Sequence, residues 1–145
     1  MMKTLAMHFD ILNMCHDIAK NSKCLSRQVG ACLIKNHMVV ATGYNRVPHK
    51  TKDCEECIRH TKKSGECLDI CKAIHAEEDC IINYLKKFSI DSLRDCTLYV
   101  TVAPCYHCAK LIIDLGIKQV ICANDYNSLY TKQLFDEAKV NLIIL

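Results

Sequence analysis

The stretch CTLYVTVAPCYHCAKLIIDLGIKQVICA, residues 96–123, decides the fold because it contains a strand, a helix and a second strand in succession. Its β-branched and aromatic residues predict a strand up to Ala103 and another at 118–123. Pro104 is favoured in the first turn of a helix, and Gly116 is typical of a helix C-terminus. Strands that alternate with helices indicate an α/β fold.

The rest of the chain extends this pattern on both sides. A helix is predicted at 8–22, followed by two strands at 28–35 and 38–44 that Asn36 and His37 join as a hairpin. A second helix is predicted at 73–88, with Ile74, Cys80, Ile81 and Leu85 toward the core, and a last helix and strand at 129–139 and 140–145. This order predicts an α/β protein with three α/β/α layers and a mixed five-stranded sheet.

Length and composition favour a single domain over 1–145. Half of the 145 residues are apolar and 24% are charged, which suits one soluble domain with a substantial core. Residues 46–72 form a polar, basic, cysteine-rich insert, whose charges we interpret as those of a solvated loop. No apolar run approaches the roughly 20 residues that cross a bilayer, and MMKTLAMHFD does not resemble a secretory signal. We therefore expect a cytoplasmic protein without a membrane partner.

The net charge of +3 is too small to indicate a nucleic-acid partner, and it is compatible with small anionic substrates.

The twelve cysteines indicate thiols and metal ligands rather than disulfides, because the apolar content is normal and no export signal is present. Six of them stand alone in or beside apolar stretches and are predicted to pack as small hydrophobic residues: Cys15, Cys24, Cys32, Cys80, Cys96 and Cys122. The spaced pairs need another explanation; these are Cys54/Cys57, Cys67/Cys71 and Cys105/Cys108.

Two of the predicted helix starts carry residues suited to a metal centre. His75 opens one, and Cys105 and Cys108 open the other. The positive end of a helix favours thiolates, and a spacing of three residues puts both sulfurs on one side of a turn. Two thiolates and one imidazole leave a fourth tetrahedral position for water, as in catalytic zinc sites. A purely structural site, closed by a further ligand such as Cys71, is the alternative.

Glu77 has a role if that site is catalytic. Zinc lowers the pKa of a bound water toward about 7, and a nearby carboxylate can accept the proton and return it to a leaving nitrogen. Helical periodicity does not place positions two apart on one face, so the sequence leaves the geometry open. The combination of His-x-Glu with Pro-Cys-x-x-Cys is the signature of zinc nucleobase deaminases.

HAE at 75–77 and PCYHC at 104–108 resemble the cytidine deaminase superfamily, and more narrowly the deoxycytidylate (dCMP) deaminases. The resemblance extends over most of the chain, through SRQVGACLIK, VVATGYN and the DY at 125–126. The long insert also resembles that family. The resemblance implies zinc on His75, Cys105 and Cys108, with Glu77 as the proton shuttle. It further implies substrate contacts at Asn45, Arg27, Ala76 and Tyr126.

The resemblance also implies partners. These are the nucleotide dCMP, possible dCTP and dTTP effectors, and further copies of the chain in a dimer or hexamer. Members of the family can carry a second, structural zinc in the insert, for which Cys54, Cys57, Cys67 and Cys71 are the candidates, with His49 or His60 as substitutes.

Three positions depart from the family's pattern. Arg46 replaces the last glycine of Gly-Tyr-Asn-Gly, in a region linked to effector binding, so regulation by dCTP and dTTP is open. Asp79 replaces a small polar residue after His-Ala-Glu, and Cys80 replaces an apolar one.

We expect hydrolytic deamination of dCMP to dUMP and ammonia, supplying dUMP for thymidylate synthesis. Two alternatives stay open. One is deamination of another substrate, namely dCTP, cytidine or adenosine in tRNA. The other is a non-catalytic, zinc-stabilised module that binds a nucleotide, although such a module has no need of a proton carrier at Glu77.

Overall fold

A five-stranded mixed sheet lies at the centre of the fold. The computed structural model describes residues 5–63, 66–126 and 128–145, with the backbone alone for Leu68. The strands in this part of the chain are β1 Gly30–Lys35, β2 Met38–Tyr44, β3 Thr97–Val102, β4 Gln119–Asn124 and β5 Asn141–Ile144. The α-helices are α1 Leu5–Ala19, α2 Ala76–Leu85, α3 Tyr106–Asp114 and α4 Leu129–Ala138, and short 3₁₀ helices lie at Leu68–Ile70 and Ile90–Asp95.

The strands lie in the order β2-β1-β3-β4-β5. Strand β1 is antiparallel to both β2 and β3, whereas β3, β4 and β5 are parallel to one another. The tight connection between β1 and β2 confirms the predicted hairpin, since Asn36 and His37 both have positive φ angles, 50° and 63°, as a two-residue primed turn requires. The predicted mixed five-stranded sheet is thus confirmed.

Helices cover both faces of the sheet because neighbouring strand residues point in opposite directions. On one face, Leu12 and Cys15 of α1 pack with Cys32, Tyr99 and Ile121. On the other face, the buried residues of the remaining helices pack over the intervening strand positions; this set includes Cys80, Ile81, Ala109, Ile112, Phe135, Leu33, Leu98, Val100 and Val120. The three-layer prediction is therefore also confirmed.

Three helix starts differ from the sequence prediction, and α1 already includes Leu5 although its start was predicted at residue 8. Helix α2 begins at Ala76 rather than at 73, because Ile74 exchanges two backbone hydrogen bonds with Arg46 in an extended bridge. Helix α3 begins at Tyr106, so Pro104 lies before the N-cap residue Cys105 and not in the first turn. The chain is still extended there, since the Ala103 N–H donates to the Asn124 carbonyl at 2.8 Å.

The remaining predictions about packing have mixed outcomes. Leu85 was predicted to face the core, but it is 37% exposed at the last residue of α2, so that prediction was wrong. Gly116 has a φ of +85° just beyond α3, as a residue that ends a helix requires. Five of the six solitary cysteines are buried as predicted, whereas Cys24 is only half-buried.

None of the described helices combines the length and the apolar character that a membrane span requires. The prediction that the chain lacks a secretory signal concerns residues 1–10, of which 1–4 lie outside the described residues.

Candidate active site

The candidate residues converge because of the strand directions. Gly30 pairs with Tyr44, Ala31 with Val100, and Val102 with Asn124, so the start of β1 and the ends of β2, β3 and β4 lie at one edge of the sheet. The candidate residues follow or precede these strand ends by a few positions: Arg27 before β1, Asn45 after β2, Cys105 after β3 and Tyr126 after β4.

The metal ligands predicted from sequence meet at this edge. The Nδ1 atom of His75 lies 3.6 Å from the Cys105 sulfur and 3.3 Å from the Cys108 sulfur. Two sulfurs and an imidazole nitrogen around a tetrahedral zinc ion are separated by about 3.5 Å when the bond lengths are ordinary, so these residues fit zinc. Across the described part of the chain, no other set of three or more His, Cys, Asp or Glu ligand atoms clusters within 4.8 Å. Cys71 is not in this cluster, so the structure does not close the site with a fourth protein ligand.

The ligands are electrostatically coupled. Hydrogen bonding with Cys108 and with His75 lowers the pKa of the Cys105 thiol to about 4, while the contact with Cys105 and burial raise the pKa of Cys108. The hydrogen bond with Cys105 raises the pKa of His75 to about 9, even though burial opposes this. The cluster therefore already stabilises a thiolate, the ligand form that zinc requires.

Glu77 is a buried carboxyl group beside these ligands. It is 5% exposed and lines a cavity of about 220 Å³ together with His75 and Cys105. Burial raises the pKa of Glu77 to about 7, although the charge of His75 opposes the shift. A carboxyl group with such a pKa can both accept and donate a proton near neutral pH.

Sequence reasoning missed Glu78, which links the two helix starts. One carboxylate oxygen accepts the His75 backbone N–H at 3.0 Å, and the other lies 3.8 Å from Nε2 of His107 in α3. The signal was available in the sequence, because an acid three residues after a helix N-cap commonly bonds back to the cap.

The four predicted substrate residues line the same cavity as His75 and Cys105: Arg27, Asn45, Ala76 and Tyr126. The side chain of Asn45 is buried and bridges two backbone groups, accepting from Val29 N–H at 2.9 Å and donating to the Arg27 carbonyl at 2.8 Å. The Arg27 guanidinium carbon lies 6.0 Å from the centre of the Tyr126 ring. The cavity thus has a metal side and a polar, cationic side.

The insert contributes part of this wall. Arg59, Lys62 and Lys63, which sequence analysis interpreted as part of a solvated loop, line the cavity together with Arg27. Among the described residues that line the cavity, Glu77 alone is acidic. Composition alone could not separate these cations from Lys50 and Lys52, which lie outside the cavity.

The structure does not bring the four insert cysteines into one metal-binding cluster. Cys54, Cys57 and Cys71 line a second cavity of about 550 Å³ together with His49, but the described ligand atoms form no group of three there. His60 contacts the Cys57 carbonyl through Nδ1 at 2.7 Å. The described residues therefore contain no preformed site for a second zinc ion.

A model of the cytidine and deoxycytidylate deaminase zinc-binding region matches residues 6–124. The chain belongs to this family. Deaminases of this family use zinc as their cofactor, and His75, Cys105 and Cys108 form a cluster that could hold such an ion.

Relatives from distant organisms support the same family. A deoxycytidylate deaminase of Schizosaccharomyces pombe is 36% identical over 129 residues, which cover 86% of this chain and 39% of that protein. The deoxycytidylate deaminase of Mycobacterium phage D29 is 35% identical over 112 residues, covering 71% of this chain and 83% of the phage protein. The chain thus spans about two fifths of the length of the yeast relative.

The fold is similar to that of the dCMP deaminase from cyanophage S-TIM5, solved in complex with dCMP and dUMP. The TM-score is 0.82 with 23% sequence identity, over 99% of this chain and 100% of the cyanophage chain. At that identity, the likeness shows the deaminase fold.

Proposed function

We propose that this chain is a zinc-dependent hydrolase that converts dCMP to dUMP and ammonia, supplying dUMP for thymidylate synthesis. The observation that carries the proposal is that His75, Cys105 and Glu77 face the same cavity as a group of cations from the insert. The curated relatives named deoxycytidylate deaminases support the choice of substrate.

Zinc, when bound by His75, Cys105 and Cys108, supplies a Lewis acid that makes water nucleophilic at neutral pH. Glu77 would accept a proton from that water and deliver it to N3 of the cytosine ring as the hydroxyl adds to C4. It would then take the remaining proton of the C4 hydroxyl and pass it to the amine, so that the C4–N bond breaks and ammonia leaves as the C4 carbonyl forms. Its pKa of about 7 suits both directions of transfer. Glu77 is buried, so the proton stays on a group that bulk water does not readily reach.

The opposite wall recognises the sugar and the phosphate in this proposal. Asn45 faces the sugar, and Arg27 and Tyr126 lie toward the phosphate. Four cations line this cavity: Arg27, Arg59, Lys62 and Lys63. Among the described residues of the lining, only Glu77 is acidic. A phosphate dianion is favoured there over an uncharged nucleoside.

The experiment is an ammonia-release assay on the zinc-loaded protein with dCMP, dCTP, cytidine and an adenosine-bearing stem-loop. We expect kcat/KM to be highest for dCMP. A higher value for another substrate contradicts the assignment of dCMP. Tight nucleotide binding without ammonia release favours the binding module instead.

Several further features are part of this proposal. We propose that residues 1–145 form one cytoplasmic deaminase domain with an insert at about 46–72, and that the chain assembles as a homo-oligomer, either a dimer or a hexamer. Light scattering measures the assembly. Running the dCMP assay with and without dCTP and dTTP measures whether these nucleotides are effectors.

The second zinc also stays a proposal. A long loop with few buried apolar residues gains stability when an ion closes it, and the candidate ligands are Cys54, Cys57, Cys67 and Cys71. Elemental analysis tests this by comparing the parent with a Cys54→Ser/Cys57→Ser variant. The proposal predicts a fall from two zinc ions per chain to one, and equal zinc contents contradict it.

A further inference from the structure

Two of the three departures from the family's pattern, Arg46 and Asp79, contact each other. Nε of Arg46 lies 2.7 Å from Oδ1 of Asp79, and the side chains are only 15% and 4% exposed. Arg46 is the second residue after β2, and Asp79 lies on α2, the helix that His75 caps. A charged pair joins the start of the insert to that helix.

The same carboxylate holds a second group of this segment. Oδ2 of Asp79 accepts the Tyr44 backbone N–H at 3.1 Å, so one side chain fixes both ends of residues 44–46. The Arg46 backbone in turn exchanges two hydrogen bonds with Ile74, at 3.1 and 2.6 Å. Ile74 directly precedes the metal ligand His75.

Asn45, in the middle of this segment, connects it to the opposite wall. Its side chain bonds to the backbone of Arg27 and Val29, and its carbonyl accepts from the Ser22 hydroxyl at 2.7 Å. Residues 44–46 therefore bridge the helix that carries the metal ligand and the segment that lines the cationic side of the cavity.

We propose that Arg46 and Asp79 are positioning residues: their ion pair sets the distance between the metal ligands and the wall formed by Asn45 and Arg27. The inference rests on the proposed function, in which that wall holds the sugar and phosphate. Stability alone is a weak reason for such a pair, because a buried pair loses hydration that its attraction only partly offsets. Three backbone contacts of the pair, one from Tyr44 and two with Ile74, give it a geometric role.

Three variants separate positioning from stability. Asp79→Asn keeps an oxygen for the Tyr44 N–H but removes the charge. Arg46→Met leaves a buried, unpaired carboxylate and should lower the melting temperature most. The double variant Arg46→Met/Asp79→Asn leaves no unpaired charge, so we expect its melting temperature to recover much of that loss.

The Michaelis constant should not recover with the melting temperature. We expect KM for dCMP to rise roughly tenfold in all three variants while kcat stays within about twofold, since the chemical groups themselves are untouched. Arg46→Lys, which can reach the same carboxylate oxygen, should restore KM. A KM that returns to the parental value together with the melting temperature in the double variant overturns the proposal, and so does a fall in kcat at unchanged KM.

The matched control is Asp53→Asn, which removes the exposed pair between Lys23 and Asp53 at 3.5 Å. This pair also involves the insert, but no hydrogen bond or ion pair of the described residues joins Asp53 to residues 44–46. We expect KM and kcat for dCMP to match the parental values. A comparable rise in KM contradicts a specific role for Arg46 and Asp79.

Amide hydrogen exchange provides a readout that needs no substrate. The Val29 N–H, which donates to Asn45, should exchange faster in the double variant than in the parent and in Asp53→Asn. Unchanged exchange at Val29 overturns the positioning role even if dCMP is deaminated. Absence of dCMP deamination in the parent overturns the proposed function and leaves this exchange result to decide the positioning role.

Discussion

His75 and Glu77 are two residues apart, a spacing that puts side chains on different faces within a regular helix. The structure resolves this because His75 is the N-cap, with extended φ and ψ values of −72° and 156°. Only Glu77 belongs to the helix proper, so helical periodicity does not apply between the two. Both side chains therefore reach the same cavity.

The three ligands should be individually necessary for zinc. In Cys108→Ser, a hydroxyl replaces a fully buried sulfur, and a hydroxyl is a far weaker zinc ligand than a thiolate. We expect the zinc content of the purified protein to fall by about one ion per chain relative to the parent, as measured by elemental analysis after dialysis against a weak chelator.

The control for this loss is Cys122→Ala, which removes another buried thiol outside the ligand cluster. It should cost stability, about 1 kcal/mol in the free energy of unfolding, while the zinc content stays at the parental value. Equal zinc contents in Cys108→Ser and the parent contradict the ligand assignment.

At the scale of elements, the position of α2 depends on a close approach to β2. A Cβ atom on Gly43 would lie 2.3 Å from the Cys80 nitrogen and 2.8 Å from the Ala76 carbonyl oxygen. Both neighbours are backbone atoms of the helix that holds Glu77. Glycine therefore lets this helix approach the sheet closely enough to bring Glu77 beside the candidate zinc ligands.

Gly43→Ala should displace α2 and disturb the centre. We expect a loss of about 1–3 kcal/mol in the free energy of unfolding together with a lower zinc affinity, measured by competition with a chromogenic chelator. Gly30→Ala is the matched control, because its Cβ would lie 2.0 Å from the Cys15 carbonyl of α1, a helix without metal ligands. Its stability should also fall, but its zinc affinity should not. Equal losses of zinc affinity in both variants contradict this account.

The sequence predicted the elements that carry the ligands better than it predicted their ends. The Cys-x-x-Cys spacing and the strand before it are local, so Cys105 and Cys108 could be placed from neighbouring residues alone. The starts of α2 and α3 depend instead on distant partners: Ile74 is held by Arg46, and Ala103 by Asn124. Local patterns contain no information about these bonds.

At the scale of the whole molecule, the net charge of +3 conceals an uneven distribution. Four cations line the candidate active site with Glu77, whereas the second cavity combines cations with three of the five acids of the insert, Asp53, Glu55 and Glu56. The sequence predicted a basic insert but not which cations face the substrate. That depends on how the loop folds over the sheet edge.

The insert cations should determine the preference for a phosphorylated substrate. In the triple variant Arg59→Gln/Lys62→Gln/Lys63→Gln, we expect kcat/KM for dCMP to fall roughly tenfold to hundredfold, while the value for deoxycytidine changes by less than about twofold. Steady-state assays with both substrates measure the difference, which should shrink at high salt. Lys50→Gln, a cation of the same insert outside this cavity, should leave both values unchanged. An equal fall for the two substrates contradicts a role in phosphate recognition.

The central claim is that Glu77 moves protons beside a zinc ion held by His75, Cys105 and Cys108. The most direct measurement is the rate of ammonia release from dCMP by Glu77→Gln, with the zinc content determined on the same sample. The account predicts parental zinc content and turnover lowered by at least roughly a hundredfold. Turnover close to the parental rate with zinc bound would contradict it.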